Sequence, residues 1–245
     1  MKRIKLTVAY DGTNYCGWQI QKNGITIEEV LNQTLSHFFG EEIVVIGASR
    51  TDSGVHAMGN VAVFDANVTM PPEKISYAIN NLLPADIRIQ KSEEVAADFH
   101  PRYCDTAKTY EYRIYNAQFP DPMVRLYSHF VYFHLDEEKM QRGADYLVGE
   151  HDFKSFCTPR PEVENTVRTI YSIAVIREGA MVRIRIRGNG FLYNMVRIIV
   201  GTLLKVGMGM IPPEQVKEIL DAKDRTKAGH KAAACGLTLM EIEYL

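Results

Sequence analysis

Ala48-Ser49-Arg50-Thr51-Asp52-Ser53-Gly54-Val55-His56-Ala57 is a dense polar stretch set between two apolar runs. Ile43-Val44-Val45-Ile46 leads into it and Val61-Ala62-Val63-Phe64 leads out. Both runs are short and rich in β-branched residues, which predicts buried strands. Polar groups beside a core are costly unless something satisfies them. Gly54 permits a sharp turn, and a carboxylate two residues after Arg50 can be aimed outward from the strand end. The residues alone leave two readings open. Asp52 is presented for chemistry, or it only bonds the amides of a polar connection.

Working outward, Ile4, Leu6, Val8 and Tyr10 alternate with polar or small residues, as on a half-buried strand ending at Asp11-Gly12. Thr26-Ile27-Glu28-Glu29 has the capping-box pattern, and Ile27, Val30, Leu31, Thr34, Leu35 and Phe38 follow at helical spacing. Pro71-Pro72 opens a second helix with Ile75, Ala78, Ile79 and Leu82 inward, and Ile87-Arg88-Ile89 begins another strand. The order strand–helix–strand–strand–helix–strand predicts an α+β fold with helices on one face of a mainly antiparallel sheet.

The stretch Asp98 to Thr106 crosses to a second half, dividing the chain into 1–105 and 106–245. There Tyr110, Tyr112 and Ile114 alternate, and Asp136 caps a helix running through Met140, Ala144 and Leu147 and closed by Gly149. Ile170 to Arg177 and Met181 to Arg187 make a hairpin about Glu178-Gly179-Ala180. A long helix is predicted near Leu192 to Val206, a shorter one from Pro213 to Ala222, and a closing strand from Leu237 to Glu243. Two such α+β halves are expected to leave a cleft between them.

The 245 residues are ample for a core, and 46% hydrophobic with 24% charged residues is ordinary for a soluble protein. Lys5 and Asp11 interrupt any N-terminal signal core, and the apolar run Ile198 to Leu204 is too short to span a bilayer. Cys16, Cys104, Cys157 and Cys235 are scattered, which predicts free thiols and a cytoplasmic location. A net charge of −2 gives no global attraction for nucleic acid. Locally the balance differs. Lys154, Arg160, Arg168, Arg177, Arg183, Arg185 and Arg187 face only Glu162, Glu164 and Glu178, a surplus of four positive charges. Such a segment suits phosphates, or is a solvated strand edge guarded by arginines.

The central stretch resembles the Arg-Thr-Asp-x-Gly-Val-His-Ala signature of the tRNA pseudouridine synthase A family. The resemblance covers nearly the whole chain. It includes Tyr10-Asp11-Gly12, Gly17-Trp18-Gln19, Phe99-His100-Pro101-Arg102 and Lys108-Thr109-Tyr110-Glu111-Tyr112. It continues through Gly149-Glu150-His151-Asp152-Phe153, Arg168-Thr169-Ile170 and Met195-Val196-Arg197-Ile198-Ile199-Val200-Gly201. Ser49 stands where the family usually has Gly, and Lys231-Ala232-Ala233-Ala234 replaces a Thr-Ala-Pro-Ala-like stretch. Neither change removes a chemical group. The resemblance implies the pseudouridine synthase fold and isomerisation of uridine in the anticodon stem-loop of tRNA by a homodimer that binds tRNA across both subunits.

That reaction breaks the N1–C1′ bond, turns the uracil and rejoins it through C5, with no redox change, so no cofactor is required. It needs a carboxylate at the sugar. The resemblance assigns this role to Asp52, handling of the flipped nucleotide to Arg50, and a place against the target base to Tyr110. Read without it, Tyr110 belongs with Tyr112 and Ile114 in a core. Arg197 sits on an apolar helix where a lone guanidinium is expensive, and the resemblance makes Asp52 its partner. His56 reads as a turn or RNA-facing hydrogen-bonding group. Asp52 with His56, or Glu150-His151-Asp152, completes no recognisable metal set. Two rivals stand beside the isomerase: a non-catalytic RNA-binding protein on the same scaffold, and a carboxylate-dependent hydrolase of nucleosides or nucleotides.

Overall fold

A computed structural model describes residues 1–159 and 165–245. In chain order the elements are β1 (Lys2–Tyr10), α1 (Ile27–Phe39), β2 (Ile46–Gly47), β3 (His56–Ala66), α2 (Ile75–Asn80), β4 (Ile87–Val95), β5 (Thr106–Asn116), β6 (His129–Val131), α3 (Glu137–Asp145), β7 (Gly149–Asp152), β8 (Val167–Glu178), β9 (Met181–Gly188), α4 (Met195–Gly207), α5 (Gln215–Ala222) and β10 (Leu237–Tyr244). They form two compact units, Met1–Asp105 with Thr238–Leu245, and Thr106–Leu237. The α+β class is as expected.

In the first unit β1 lies between β3 and β4, antiparallel to both. Ile4, Leu6, Val8 and Tyr10 are buried, as their alternation predicts. Glu29 N donates to Thr26 Oγ1 at 3.3 Å, so Thr26 caps α1, which buries Ile27, Leu31 and Leu35. β10 pairs parallel with β3, Thr238 opposite His56 and Leu239 opposite Ala57. The boundary at 105 therefore coincides with the sequence division, but Thr238–Leu245 stand with the first unit rather than with the second half.

Two local expectations fail. Of the first apolar run only Ile46 pairs with β3, opposite Val63, followed by Gly47 opposite Ala62. Side chains of α1 capture amides upstream: Ile43 N donates to Ser36 Oγ at 2.8 Å and Val45 N to Asn32 Oδ1 at 2.9 Å. Those two donors are lost to a ladder, and Val44 is exposed. Helix α2 stops at Asn80, leaving Leu82 outside the helix and exposed.

In the second unit β5, β9, β8 and β7 pair antiparallel in that order, with β6 parallel to β5. Register puts Tyr110, Tyr112 and Ile114 on one face with Ile186, Ile184 and Val182. This apolar face is buried, with α3 lying on β8 and α4 on α3. Asp136 Oδ1 caps α3 by accepting from Lys139 N at 2.9 Å. α3 ends at Asp145, so Gly149, at φ 108°, opens β7 instead of closing the helix. Gly179, at φ 60°, turns the β8–β9 hairpin as predicted. The long helix begins at Met195, three residues later than its sequence suggests.

Candidate active site

The Asp52 loop is held by the backbone on both sides and by a buried side-chain clamp beneath. Ala48 N donates to Val61 O at 2.7 Å where the chain leaves β2, and Tyr10 pairs with Ala57 where it rejoins β3. The β1–β3 register slips between Val8 and Tyr10, a bulge that bends the ladder beside the loop. Asn60, fully buried, donates from Nδ2 to Ser49 O (3.0 Å) and to the Tyr10 hydroxyl (3.3 Å), and that hydroxyl shares a proton with Thr51 Oγ1 at 2.8 Å. Trp18 N donates to Thr51 O at 3.1 Å. Val55 N closes a turn onto Asp52 O at 3.1 Å, with Gly54 at φ 75°. Asp52 itself is half-buried. These bonds restrain the residues on either side of the carboxylate without using it, the condition for presenting it in one geometry.

Gly17 lies directly under the turn. Its φ is 85°, and a Cβ there would stand 2.5 Å from Thr51 O. Gly12 is pressed still more closely on the carbonyl of Val55, and its N–H donates to His56 Nδ1 at 3.1 Å. Asp11 Oδ1 is also 3.1 Å from that nitrogen. His56 is thus a buried brace between the loop and Asp11-Gly12, the turn role among those its sequence suggests. The Tyr10-Asp11-Gly12 and Gly17-Trp18 motifs, far from Asp52 in sequence, build its floor.

Arg50 is exposed on the same loop. Nearby, Arg102 Nε donates to Gly47 O at 2.6 Å, tying down the strand end that feeds the loop. Burial of its guanidinium, and after it the charge of Arg50, pull the Arg102 pKa below its ordinary value. The sequence does not single out Asn60, and it marks Arg102 only as part of the Phe99-His100-Pro101-Arg102 motif, without a role. Asn60 had left a signal, since an asparagine inside an apolar strand is out of place unless its amide has work there.

The second unit carries the other two expected residues. Tyr110, 7% exposed, meets Phe191 edge-on with centroids 5.2 Å apart. Arg197 is 8% exposed on α4, and its Nε donates to Ala232 O at 2.8 Å while Ala232 N donates back to Arg197 O at 3.0 Å. Tyr112 donates to the carbonyl of Ala233 at 2.8 Å. The Lys231–Ala234 stretch therefore contributes backbone carbonyls, which explains why altered side chains there remove no chemical group.

The basic segment is sorted by the β-pleat. Arg183, Arg185 and Arg187 share the sheet face away from the helices, where Arg113 stands opposite Arg183. Arg183 pairs with Glu178 at 3.0 Å, Arg113 with Glu111 at 2.8 Å, and Arg187 lies 5.3 Å over the Tyr171 ring. Like charges directly opposite each other cost stability, and Glu178 and Glu111 offset part of that cost on this face. Arg177 instead braces α3 through Glu137 at 2.8 Å. Arg160, Glu162 and Glu164 lie outside the described residues. Glu150-His151-Asp152 forms β7 and the turn after it, with Asp152 accepting from Lys154 N at 3.1 Å. No cluster of three or more potential metal ligands occurs among the described residues.

Comparison with known proteins identifies the family. A family model described as tRNA pseudouridine synthase matches residues 6–104 and 144–245, including the Asp52 loop, its floor and α4. The chain is 47% identical over 244 residues to "tRNA pseudouridine synthase A" of Acetivibrio thermocellus and 50% identical over 245 residues to the protein of that name in Ruminiclostridium cellulolyticum, covering 100% of both chains in each case. It is 47% identical to "tRNA pseudouridine synthase A 2" of Clostridium perfringens, again over 100% of both chains. A solved structure, "Crystal Structure of a Cbf5-Nop10-Gar1 Complex", overlaps 82% of this chain and 45% of its own at 17% identity and a TM-score of 0.36, too low to compare folds. With a family match that takes in the loop and its supports, and relatives matched end to end, the chain belongs to the tRNA pseudouridine synthase family.

Proposed function

We propose that this protein isomerises uridine to pseudouridine in the anticodon stem-loop of tRNA, with Asp52 as the nucleophile or base at the sugar. The observation that carries the reading is the Asp52 loop itself. The loop that carries this half-buried carboxylate is held by Thr51, Asn60, Trp18 and the Gly54 turn, within a chain of this family. Arg50 handles the displaced nucleotide, Tyr110 lies against the target base, and Arg197 supports the site. Bond breaking at N1 and bond making at C5 use the same C1′, and the C5 proton leaves at the end, so no redox partner enters. Incubation of an unmodified tRNA transcript tests this directly. Pseudouridine in RNA of unchanged mass is expected; released uracil would indicate a hydrolase, and unaltered uridine a binding protein.

The protein acts as a cytoplasmic homodimer in this reading. All four cysteines are free thiols, which suits a reducing compartment. Phe119, Met123, Tyr127, Tyr132 and Phe133 are exposed apolar residues close together in the sequence of the second unit, as a protein–protein contact requires. Light scattering at working concentration should return twice the mass of the 27.8 kDa chain.

Three substitutions follow from the geometry. Gly17→Ala forces a Cβ toward Thr51 O at positive φ, so it should cost about 1–3 kcal/mol in denaturant unfolding and lower turnover at least roughly tenfold. Wild-type turnover in that variant would show that the loop does not need its floor. Tyr110→Phe should keep the base contact and lose only the hydroxyl, whereas Tyr110→Ala loses stacking of about 1–3 kcal/mol. Equal, wild-type rates for the two would make Tyr110 a core residue only. Replacing Arg183 and Arg185 by Gln should flatten the slope of log affinity for tRNA against log salt by about one to two units. An unchanged slope would leave that face to solvent.

A further inference from the structure

The second unit holds a cavity of about 230 Å³ whose walls include Lys154, Thr158, Arg168, Phe191 and Tyr193. Lys154 and Arg168 bring two positive charges, and neither makes an ion pair among the described residues. Arg168 is fixed by its own backbone, Nη1 donating to Val167 O at 2.6 Å and Asn165 O at 3.2 Å. Burial lowers its pKa from the ordinary arginine value. Asp152 does not neutralise the pair, being engaged by Lys223 at 3.1 Å and Thr166 Oγ1 at 2.5 Å.

A second observation comes from Asn194, the residue that starts α4. It is 8% exposed and sits at φ 61°. Its Nδ2 donates to Thr158 Oγ1 in the cavity wall at 3.0 Å, while its Oδ1 is buried with no partner. Asn194 is not itself part of the wall, but its bond fixes the Thr158 side chain there. Phe191, in the same wall, is the ring that meets Tyr110. Cations, a fixed hydroxyl and an aromatic wall together match one nucleotide. The volume is below that of usual small-molecule pockets, so it admits a single phosphate with its sugar or base edge and no longer stretch.

We propose that this cavity is a subsite for one nucleotide of the tRNA substrate, its phosphate held by Lys154 and Arg168 and its sugar or base edge lying against Phe191 and Tyr193. The inference rests on the tRNA reading above and adds a contact outside the residues named for the chemistry. Arg168 supplies a fork suited to phosphate oxygens and Lys154 a mobile point charge.

The test uses the full-length protein and an unmodified tRNA transcript. Lys154→Gln with Arg168→Gln should lower affinity roughly tenfold or more at low salt and reduce the salt slope by about one to two units. Lys154→Gln alone separates binding from folding. Lys154 is exposed and makes no ion pair among the described residues, so the melting temperature should hold while tRNA affinity falls and the slope drops by about one unit. Unchanged affinity and slope in both variants would overturn the subsite. So would affinity that merely follows the melting temperature, or uridine monophosphate binding the cavity while the tRNA slope stays fixed. Pseudouridine is scored in the same samples with the unaltered protein. Its formation alongside an unchanged slope defeats the subsite alone, and its absence alongside a reduced slope supports the subsite while defeating the isomerase.

Discussion

Asp52→Asn should bind tRNA as the unaltered protein does and form pseudouridine at least roughly a thousandfold more slowly. The amide keeps the shape of the side chain and removes the charge that attacks or deprotonates. The backbone at this position is set by bonds that the substitution leaves alone: Val55 N to Asp52 O, Trp18 N to Thr51 O, and the Tyr10–Thr51–Asn60 clamp. Loss of activity through a displaced loop is therefore distinguishable, because it would also weaken binding and lower the unfolding midpoint. Mass spectrometry of the variant protein guards against deamidation. Turnover within tenfold of the unaltered protein would remove Asp52 from the chemistry.

Arg197→Met should destabilise the protein by roughly 3–5 kcal/mol, the range for stranding a partner of a buried charged group. Methionine replaces the stem among Met195, Val196, Ile198 and Ile199, all buried, but offers nothing to Ala232 O. The segment around Ala232 and Ala233 would loosen, and with it the Tyr112 hydroxyl contact. The pairing with Asp52 implied by family resemblance makes a further demand. Asp52→Asn combined with Arg197→Met should lose less stability than the two single changes added together. Strict additivity would defeat that pairing.

What the sequence made legible was local and periodic. Strand β1, the Thr26 and Asp136 caps, the Gly179 hairpin and the placement of Arg183 with Arg185 all rest on spacing within a few residues, and all are present. The Asp52 loop was also legible, because so many polar residues between apolar runs need a reason. The misreadings arose where a distant group decides the outcome. Ile43 to Val45 looks like a strand until Asn32 and Ser36 take its amides. Leu82 fits the helical spacing, but α2 has already ended and the residue is exposed. The clamp under Asp52 joins residues up to 50 positions apart, as Asn60 and Tyr10 are, and no window of local pattern contains both. Placement of β10 was invisible for the same reason, since parallel pairing leaves no hairpin signature.

That last strand has a consequence for how the protein comes into being. β10 lies beside β3 at His56 and Ala57, where the Asp52 loop rejoins the sheet. Leu245 N donates to Asp105 O at 3.0 Å, and the Tyr244 ring meets Phe99 at 5.1 Å. Synthesis runs from the N-terminus, so residues 1–105 emerge first yet wait for the entire second unit before their neighbour arrives. Until then β3 lacks its partner at His56 and Ala57, and unpaired strand edges of this kind are prone to pair with another chain. A chain interrupted just before Leu237 would hold nearly all of the second unit and still leave the first without the strand beside the Asp52 loop.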